Sequence, residues 1–259
     1  MEVIVRPDAS AAVSLAARLI GDRLRAKPDL VLGLATGRTM ERVYDRLVES
    51  RVSFAQATTF NLDEYIGLPA DDPNSYRRYM RERLFDRVDL DPGRAHLPDG
   101  SAPDVKAAAK RYEARIARAG GIGLQLLGIG EAGHIGFNEP LSAFASRTRD
   151  KTLTPTTRAQ NAAMFGGDAG AVPARALTMG VATILEAREL ILLATGPSKA
   201  GIVARAVEGP LTAMVSASAI QMHPNCKVIL DEDAASDLTE RDYYRFVFDN
   251  EPDWDDYRD

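Results

Sequence analysis

Leu30-Val31-Leu32-Gly33-Leu34, followed at once by Ala35-Thr36-Gly37-Arg38-Thr39, is the stretch from which the fold is read. A short apolar run suits a strand covered on both faces, and the glycine-bearing turn after it opens a segment of helical period. The unit recurs. Val3-Ile4-Val5 precedes a helix expected over Ala9 to Arg25, with Asp8 as N-cap and Val13, Ala16, Ala17, Ile20 and Leu24 on one face. Further strands are expected at Thr58 to Leu62, Leu124 to Ile129, Leu190 to Ala194 and Val228 to Leu230. This alternation predicts a doubly wound, Rossmann-like α/β fold, a mostly parallel sheet with helices on both faces. No linker divides the 259 residues, so a single domain over 1–259 is expected.

Composition removes several classes of function. The hydrophobic share of 45% and charged share of 27% are those of a globular chain, with no apolar run near the roughly 18 residues of a membrane span. The opening Met1-Glu2-Val3-Ile4-Val5-Arg6 lacks the apolar core of a secretory signal, which gives a cytoplasmic expectation. One cysteine, Cys226 beside Val228-Ile229-Leu230, reads as a buried structural thiol in a reducing compartment. A net charge of −5 without a basic run offers nucleic acid no footprint. Any anionic ligand must then meet a local positive site.

In open α/β sheets, ligands gather at the carboxyl ends of the strands. Four such ends carry polar or glycine-rich loops: Ala35 to Thr39, Asp63-Glu64-Tyr65, Gly128 to His134, and Thr195-Gly196-Pro197-Ser198-Lys199. Thr36, Gly37, Arg38 and Thr39 bring hydroxyls, amides and a cation to a helix N-terminus, which suits phosphate. Lys199 stands at a second strand-to-helix junction on the same edge. The segment from Thr154 to Pro173, with three glycines and two prolines, is expected to be a mobile lid. The acidic end from Asp253 to Asp259 reads as a surface tail with aromatic anchors.

Asp63 and Glu64 directly follow the strand, and since neighbouring residues on a strand point to opposite faces, at most one aims into a shared cleft. A carboxylate there can take a proton α to a carbonyl if burial raises its pKa, or it can cap a helix. His134 lies in a glycine-rich loop five residues before Glu139, where an imidazole oriented by a carboxylate can move protons near neutral pH. His96, His134 and His223 lack the close spacing of metal ligands, so no metal is expected.

At these residues the chain resembles the glucosamine-6-phosphate deaminase/isomerase family over nearly its whole length. The resemblance rests on Phe60-Asn61-Leu62-Asp63-Glu64-Tyr65-Ile66-Gly67-Leu68-Pro69, on Gly133-His134-Ile135-Gly136-Phe137-Asn138-Glu139-Pro140, on Ser146 to Thr154, and on Ala176-Leu177-Thr178-Met179-Gly180. It implies conversion of glucosamine 6-phosphate to fructose 6-phosphate and ammonia without a cofactor. It also implies roles: Asp63 as the C2 base, His134 with Glu139 as the ring-opening pair, and Thr36, Gly37, Thr39 and Lys199 as phosphate ligands. Ser142, Arg149 and Lys151 match positions that hold an effector phosphate in allosteric, oligomeric members, and the pattern is compatible with a homo-oligomer.

Departures from the pattern are also legible. Ala132 stands where many members carry Asp or Asn, Ala143 where a second serine is found, and Ala163 where the lid usually supplies a phosphate-clamping arginine. Arg38 replaces a glycine of the phosphate loop and is read as the substitute cation. The rival readings are a galactosamine-6-phosphate deaminase, a phosphogluconolactonase-like hydrolase, and a sugar-phosphate sensor that has lost activity.

Overall fold

The computed structural model describes residues 1–258. Its strands are β1 (Glu2–Arg6), β2 (Val31–Leu34), β3 (Thr58–Asn61), β4 (Asp63–Tyr65), β5 (Ala95–His96), β6 (Leu124–Leu127), β7 (Arg149–Thr152), β8 (Arg175–Thr178), β9 (Glu189–Ala194) and β10 (Cys226–Asp231). The α-helices are α1 (Ala9–Ala26), α2 (Arg38–Glu49), α3 (Tyr76–Arg83), α4 (Val105–Arg118), α5 (Pro155–Asn161), α6 (Val181–Leu185), α7 (Ala200–Val207) and α8 (Arg241–Asn250). Asp8 caps α1 by accepting from the Ala11 amide at 2.8 Å, as its place before the apolar stripe predicts.

Seven strands form a parallel sheet in the order β1-β10-β9-β6-β2-β3-β5. From β2 the chain runs outward through β3 to β5, then returns to the other side of β2 and proceeds outward through β6, β9 and β10. The direction of winding therefore reverses between β2 and β6, and loops leaving those two strands part to open a crevice at the carboxyl edge. Leu32, Leu34, Leu126, Leu127, Ile191, Val228 and Ile229 are wholly buried along these strands. Each such side chain contributes about 1.5–3 kcal/mol by leaving water.

At the amino edge, Glu189 is held by Arg23 at 2.8 Å and by Lys227 at 3.0 Å, so buried charge there is matched within the fold. Cys226 is buried beside them, and burial pushes its thiol up to about 12.

Asp63-Glu64-Tyr65, read from sequence as a loop, is a strand. The Leu62 amide donates to Leu34 O at 3.0 Å, and its carbonyl accepts from Met179 N at 2.7 Å. This residue thus turns the chain out of the large sheet into a three-stranded antiparallel one, β4-β8-β7, with Asp63 opposite Thr178. The strands β5, β7 and β8 were likewise not expected.

The 154–173 segment forms α5 and a short 3₁₀ turn over Ala162–Phe165 that ends at Gly166 in the left-handed region (φ 66°). Arg158 straps it by donating to Val172 O and Gly170 O at 3.1 and 2.9 Å. The acidic C-terminal stretch is anchored through its aromatics, since Trp254 is buried and donates to Glu2 at 2.8 Å. Among the described residues, no helix is long and apolar enough to cross a membrane.

Candidate active site

The crevice at the β2/β6 reversal is a cleft of about 660 Å³. All four loops singled out in the sequence reach it. Thr36, Gly37, Arg38 and Thr39 line one wall, Asp63 the floor, Gly130 and His134 a second wall, and Lys199 the end; Gln160, Asn161, Ala163 and Met164 form an edge.

The phosphate-type wall follows from Gly37. Its φ of 126° is open to glycine and strained for other residues, and it turns the chain directly into α2. The first acceptor in the turn, Gly37 O, takes the amides of Met40 and Glu41 and leaves those of Arg38 and Thr39 at the helix start without a partner among the described residues. Arg38 is exposed at the rim. Lys199 approaches from the other side, where its ammonium donates to Ile129 O at 2.9 Å and keeps its remaining protons for a ligand. Burial holds its pKa below the usual lysine range.

Asp63 and Glu64 take opposite faces, as strand neighbours must. Glu64 accepts the amides of Tyr65, Tyr76 and Arg77, each at 2.9 Å, and so caps the start of α3. Asp63 is 5% exposed, and among the described residues no group donates a hydrogen bond to its carboxylate. Burial, with the nearby Glu64 charge adding to it, pushes its carboxyl up to about 8. A buried carboxylate with no internal donor and an open cleft above it is an arrangement suited to accepting a proton.

His134 is 7% exposed, and its ring packs against Gly130, where a Cβ would come within 2.1 Å of Nε2. Burial is the main influence lowering its pKa; Lys199 acts in the same sense, while Glu139 and Glu131 oppose it. The expected pairing with Glu139 is not closed. Nδ1 stands 3.7 Å from Glu139 Oε2, beyond hydrogen-bond range, and has no other partner. Glu139 instead accepts from the Thr154 amide at 2.9 Å.

Ser142, Arg149 and Lys151 lie outside the cleft lining. Ser142 donates to Glu139 O at 2.7 Å, and Arg149 donates to Asn138 Oδ1 at 2.9 Å, so both brace the loop that carries Glu139. Lys151 is two residues further along β7 and shares the face of Arg149.

Several contributors were not read from the sequence. Tyr79 donates to Gly37 O at 2.8 Å and steadies the phosphate-type turn, while Tyr76 packs on Phe137 with ring centroids 6.0 Å apart. Their spacing of three on α3 is a helical signal that marks a common face. Asn138 donates to Ile135 O and Met179 O at 2.9 and 2.8 Å, fastening the histidine loop to the strand opposite Asp63. Gly136, with φ 55°, is hemmed by Thr178 Oγ1 and Asp63 Oδ2, which a Cβ would meet at 2.9 and 3.4 Å. Among the described residues, no three His, Cys, Asp or Glu side chains converge as a metal would require.

Comparison with known proteins agrees with this geometry. The profile of the family described as glucosamine-6-phosphate isomerases/6-phosphogluconolactonase matches residues 8–229. The chain is 49% identical over 258 residues to a glucosamine-6-phosphate deaminase of Streptomyces coelicolor, covering 98% of this chain and 99% of that one. A deaminase of the same name from Mycolicibacterium smegmatis is 52% identical over 258 residues, with the same shares covered. The solved structure of a monomeric glucosamine-6-phosphate deaminase superposes with a TM-score of 0.89 at 44% identity, over 92% of this chain and 100% of that one. A 6-phosphogluconolactonase from Thermotoga maritima shares the fold, with a TM-score of 0.72 at 20% identity over 89% of this chain and 98% of that one. With its cleft at the β2/β6 reversal and similarity along nearly its whole length, the chain belongs to the glucosamine-6-phosphate isomerase/6-phosphogluconolactonase family.

Proposed function

We infer that this protein is a glucosamine-6-phosphate deaminase, converting glucosamine 6-phosphate and water to fructose 6-phosphate and ammonia. The observation that carries the reading is the division between the two neighbouring carboxylates. Glu64 is occupied by three amides, whereas Asp63 is buried without a donor on the floor of a cleft that also holds His134 and an anion-type helix start. Full-length relatives at about half identity bear the same name.

The reaction is assigned to these residues as follows. The amides of Arg38 and Thr39, the hydroxyls of Thr36 and Thr39 and the ammonium of Lys199 hold the phosphate. Arg38 supplies the second positive charge that a desolvated dianion needs, in place of the lid residue at Ala163. His134 moves a proton between the ring oxygen and O1 to open the pyranose. Asp63 removes the C2 proton, the electron pair moves to form an enolamine, and the same proton returns to C1. Water then adds to the resulting C2 imine, and ammonia leaves as the carbonyl forms.

Every group named lies in one chain, so this chemistry needs no second copy. The 154–173 segment acts as a lid over the same domain. Arg149, with Ser142 and Lys151, remains a candidate effector face, although its guanidinium is already engaged by Asn138. A sensor would gain nothing from an unpaired buried Asp63, which disfavours that rival. The reading is tested by measuring ammonia release from glucosamine 6-phosphate, galactosamine 6-phosphate and unphosphorylated glucosamine side by side. Release from the first alone is expected, and release from none would overturn the reading.

A further inference from the structure

Glu139 is contested. Its Oε1 accepts from the Thr154 amide at 2.9 Å and faces the Thr154 hydroxyl at 3.3 Å, while Oε2 lies 3.4 Å from that hydroxyl and 3.7 Å from His134 Nδ1. Glu139 is 2% exposed, and Nδ1 is buried with no hydrogen-bond partner among the described residues. An unpaired buried ring nitrogen beside a carboxylate is costly to leave so, and something must hold the two apart. Thr154 is the group in position to do it.

Thr154 is also the N-cap of α5. Its hydroxyl accepts from the Thr157 amide at 3.2 Å and lies 3.1 Å from Thr157 Oγ1. One hydroxyl proton serves one acceptor at a time, so it is directed either to Glu139 or to Thr157. The far end of α5 is tied to the same loop, because Gln160 accepts from the Glu131 amide at 3.3 Å, three residues before His134. The segment that joins these ties presents Gln160, Asn161 and Met164 to the cleft. A ligand that moves this edge therefore moves Thr154 against Glu139.

We propose that Thr154 is a positioning residue whose hydroxyl gates the His134–Glu139 pair, holding Oε2 off Nδ1 until displacement of the α5 edge releases it. The released Oε2 then accepts the Nδ1–H and fixes the tautomer that leaves Nε2 free to exchange a proton with substrate. The charged groups facing His134 are Glu139, Glu131 and Lys199, and the proposed step brings Glu139 to hydrogen-bond distance. This rests on the deaminase reading for its purpose, but its geometry stands on the contacts alone.

The test is the titration and tautomer of His134 followed by ¹⁵N NMR of the whole chain, with His134→Gln to assign the signal among three histidines. Thr154→Val removes the hydroxyl and keeps shape and amide; it should move the His134 titration upward and shift the ring toward the Nδ1–H form. Thr154→Ser should behave as the parent, since it restores both the cap and the hydroxyl. Thr154→Ala serves as a second variant should valine disturb α5. In kinetics on glucosamine 6-phosphate, the limb of kcat/KM governed by His134 should move with the NMR value. An unmoved titration and tautomer in both Thr154→Val and Thr154→Ala would overturn the gate even if turnover falls, because loss of the cap alone would explain that fall. Absence of ammonia release in the parent would overturn the deaminase reading and leave the NMR result to decide the gate.

Discussion

Replacing Asp63 with Asn should make the protein more stable at pH 8 and less stable at pH 4, while removing its activity at both. Burial pushes the carboxyl from 3.8 to about 8, so its charged form is disfavoured in the folded state. A raised folded pKa means that the contribution to stability is intact below pH 3.8 and is lost progressively as pH rises toward 8. At about 1.4 kcal/mol per pH unit, the loss across that window is on the order of 5 kcal/mol. Asparagine has no charge to desolvate, but it brings amide protons to a site with no acceptor, at a cost of about 1–3 kcal/mol. The variant should therefore fall below the parent by that amount in acid and rise above it by roughly 2–4 kcal/mol in base. For a chain of this size that difference corresponds to about 4–16 °C in Tm. The assay is a series of thermal melts of both proteins from pH 4 to pH 8. Two Tm curves that stay parallel across the range would refute the claim that Asp63 is buried without a compensating donor. Ammonia release should fall by roughly 10²–10⁴-fold, and kcat/KM of the parent should rise toward pH 8 as the base loses its proton.

Glu64→Gln should destabilise the fold by about 1–3 kcal/mol, read as a lower Tm, because an amide nitrogen would face one of the three N–H groups that the carboxylate now accepts. His134→Gln should slow turnover of the cyclic sugar more than C2 solvent exchange in an analogue that cannot close its ring, and equal losses would reject ring opening as its task. Arg38→Gly should weaken sugar-phosphate binding by about 1.5–3 kcal/mol, seen as a KM raised roughly 10- to 150-fold at fixed ionic strength, with Ala163→Arg recovering part of it. An unchanged KM in Arg38→Gly would place the second cation elsewhere.

Six of the seven strands of the large sheet were legible because most are apolar runs between turn residues, as burial on both faces favours, whereas the two-residue edge strand β5 was not. The same rule conceals the small sheet. Arg149-Asp150-Lys151-Thr152 carries no apolar alternation, and it is a strand because β8 pairs with it along four residues. Tertiary pairing there overrides local preference. Asp63-Glu64-Tyr65 was missed for a related reason: three residues after a strand look like the loop that usually follows one. Only the turn at Leu62, with its hydrogen bonds to Leu34 and Met179, starts a second sheet.

For the site, position was easier to read than state. Loops at the carboxyl ends of strands had to converge, so Thr36 to Thr39, Asp63, His134 and Lys199 could be brought to one edge before any coordinate was known. Which of two adjacent carboxylates is free could not be read, because the amides that occupy Glu64 come from Tyr76 and Arg77, twelve and thirteen residues on. The 3.7 Å gap between His134 and Glu139 has the same physical reason. Spacing of five in a loop makes the contact available, yet a buried carboxylate goes to the best donors within reach, and the Thr154 amide at 2.9 Å outcompetes an imidazole at 3.7 Å. Both cases turn on a long-range donor that a local pattern cannot contain. The consequence runs in opposite directions: backbone amides occupy Glu64 and leave Asp63 beside the cleft without a donor among the described residues, whereas the Thr154 amide occupies Glu139 and leaves His134 Nδ1 unpaired there. Under the proposed function and the proposed gate, ring opening and not proton abstraction would depend on movement of the α5 edge, because Asp63 has its place in the cleft already while His134 Nδ1 still lacks its carboxylate.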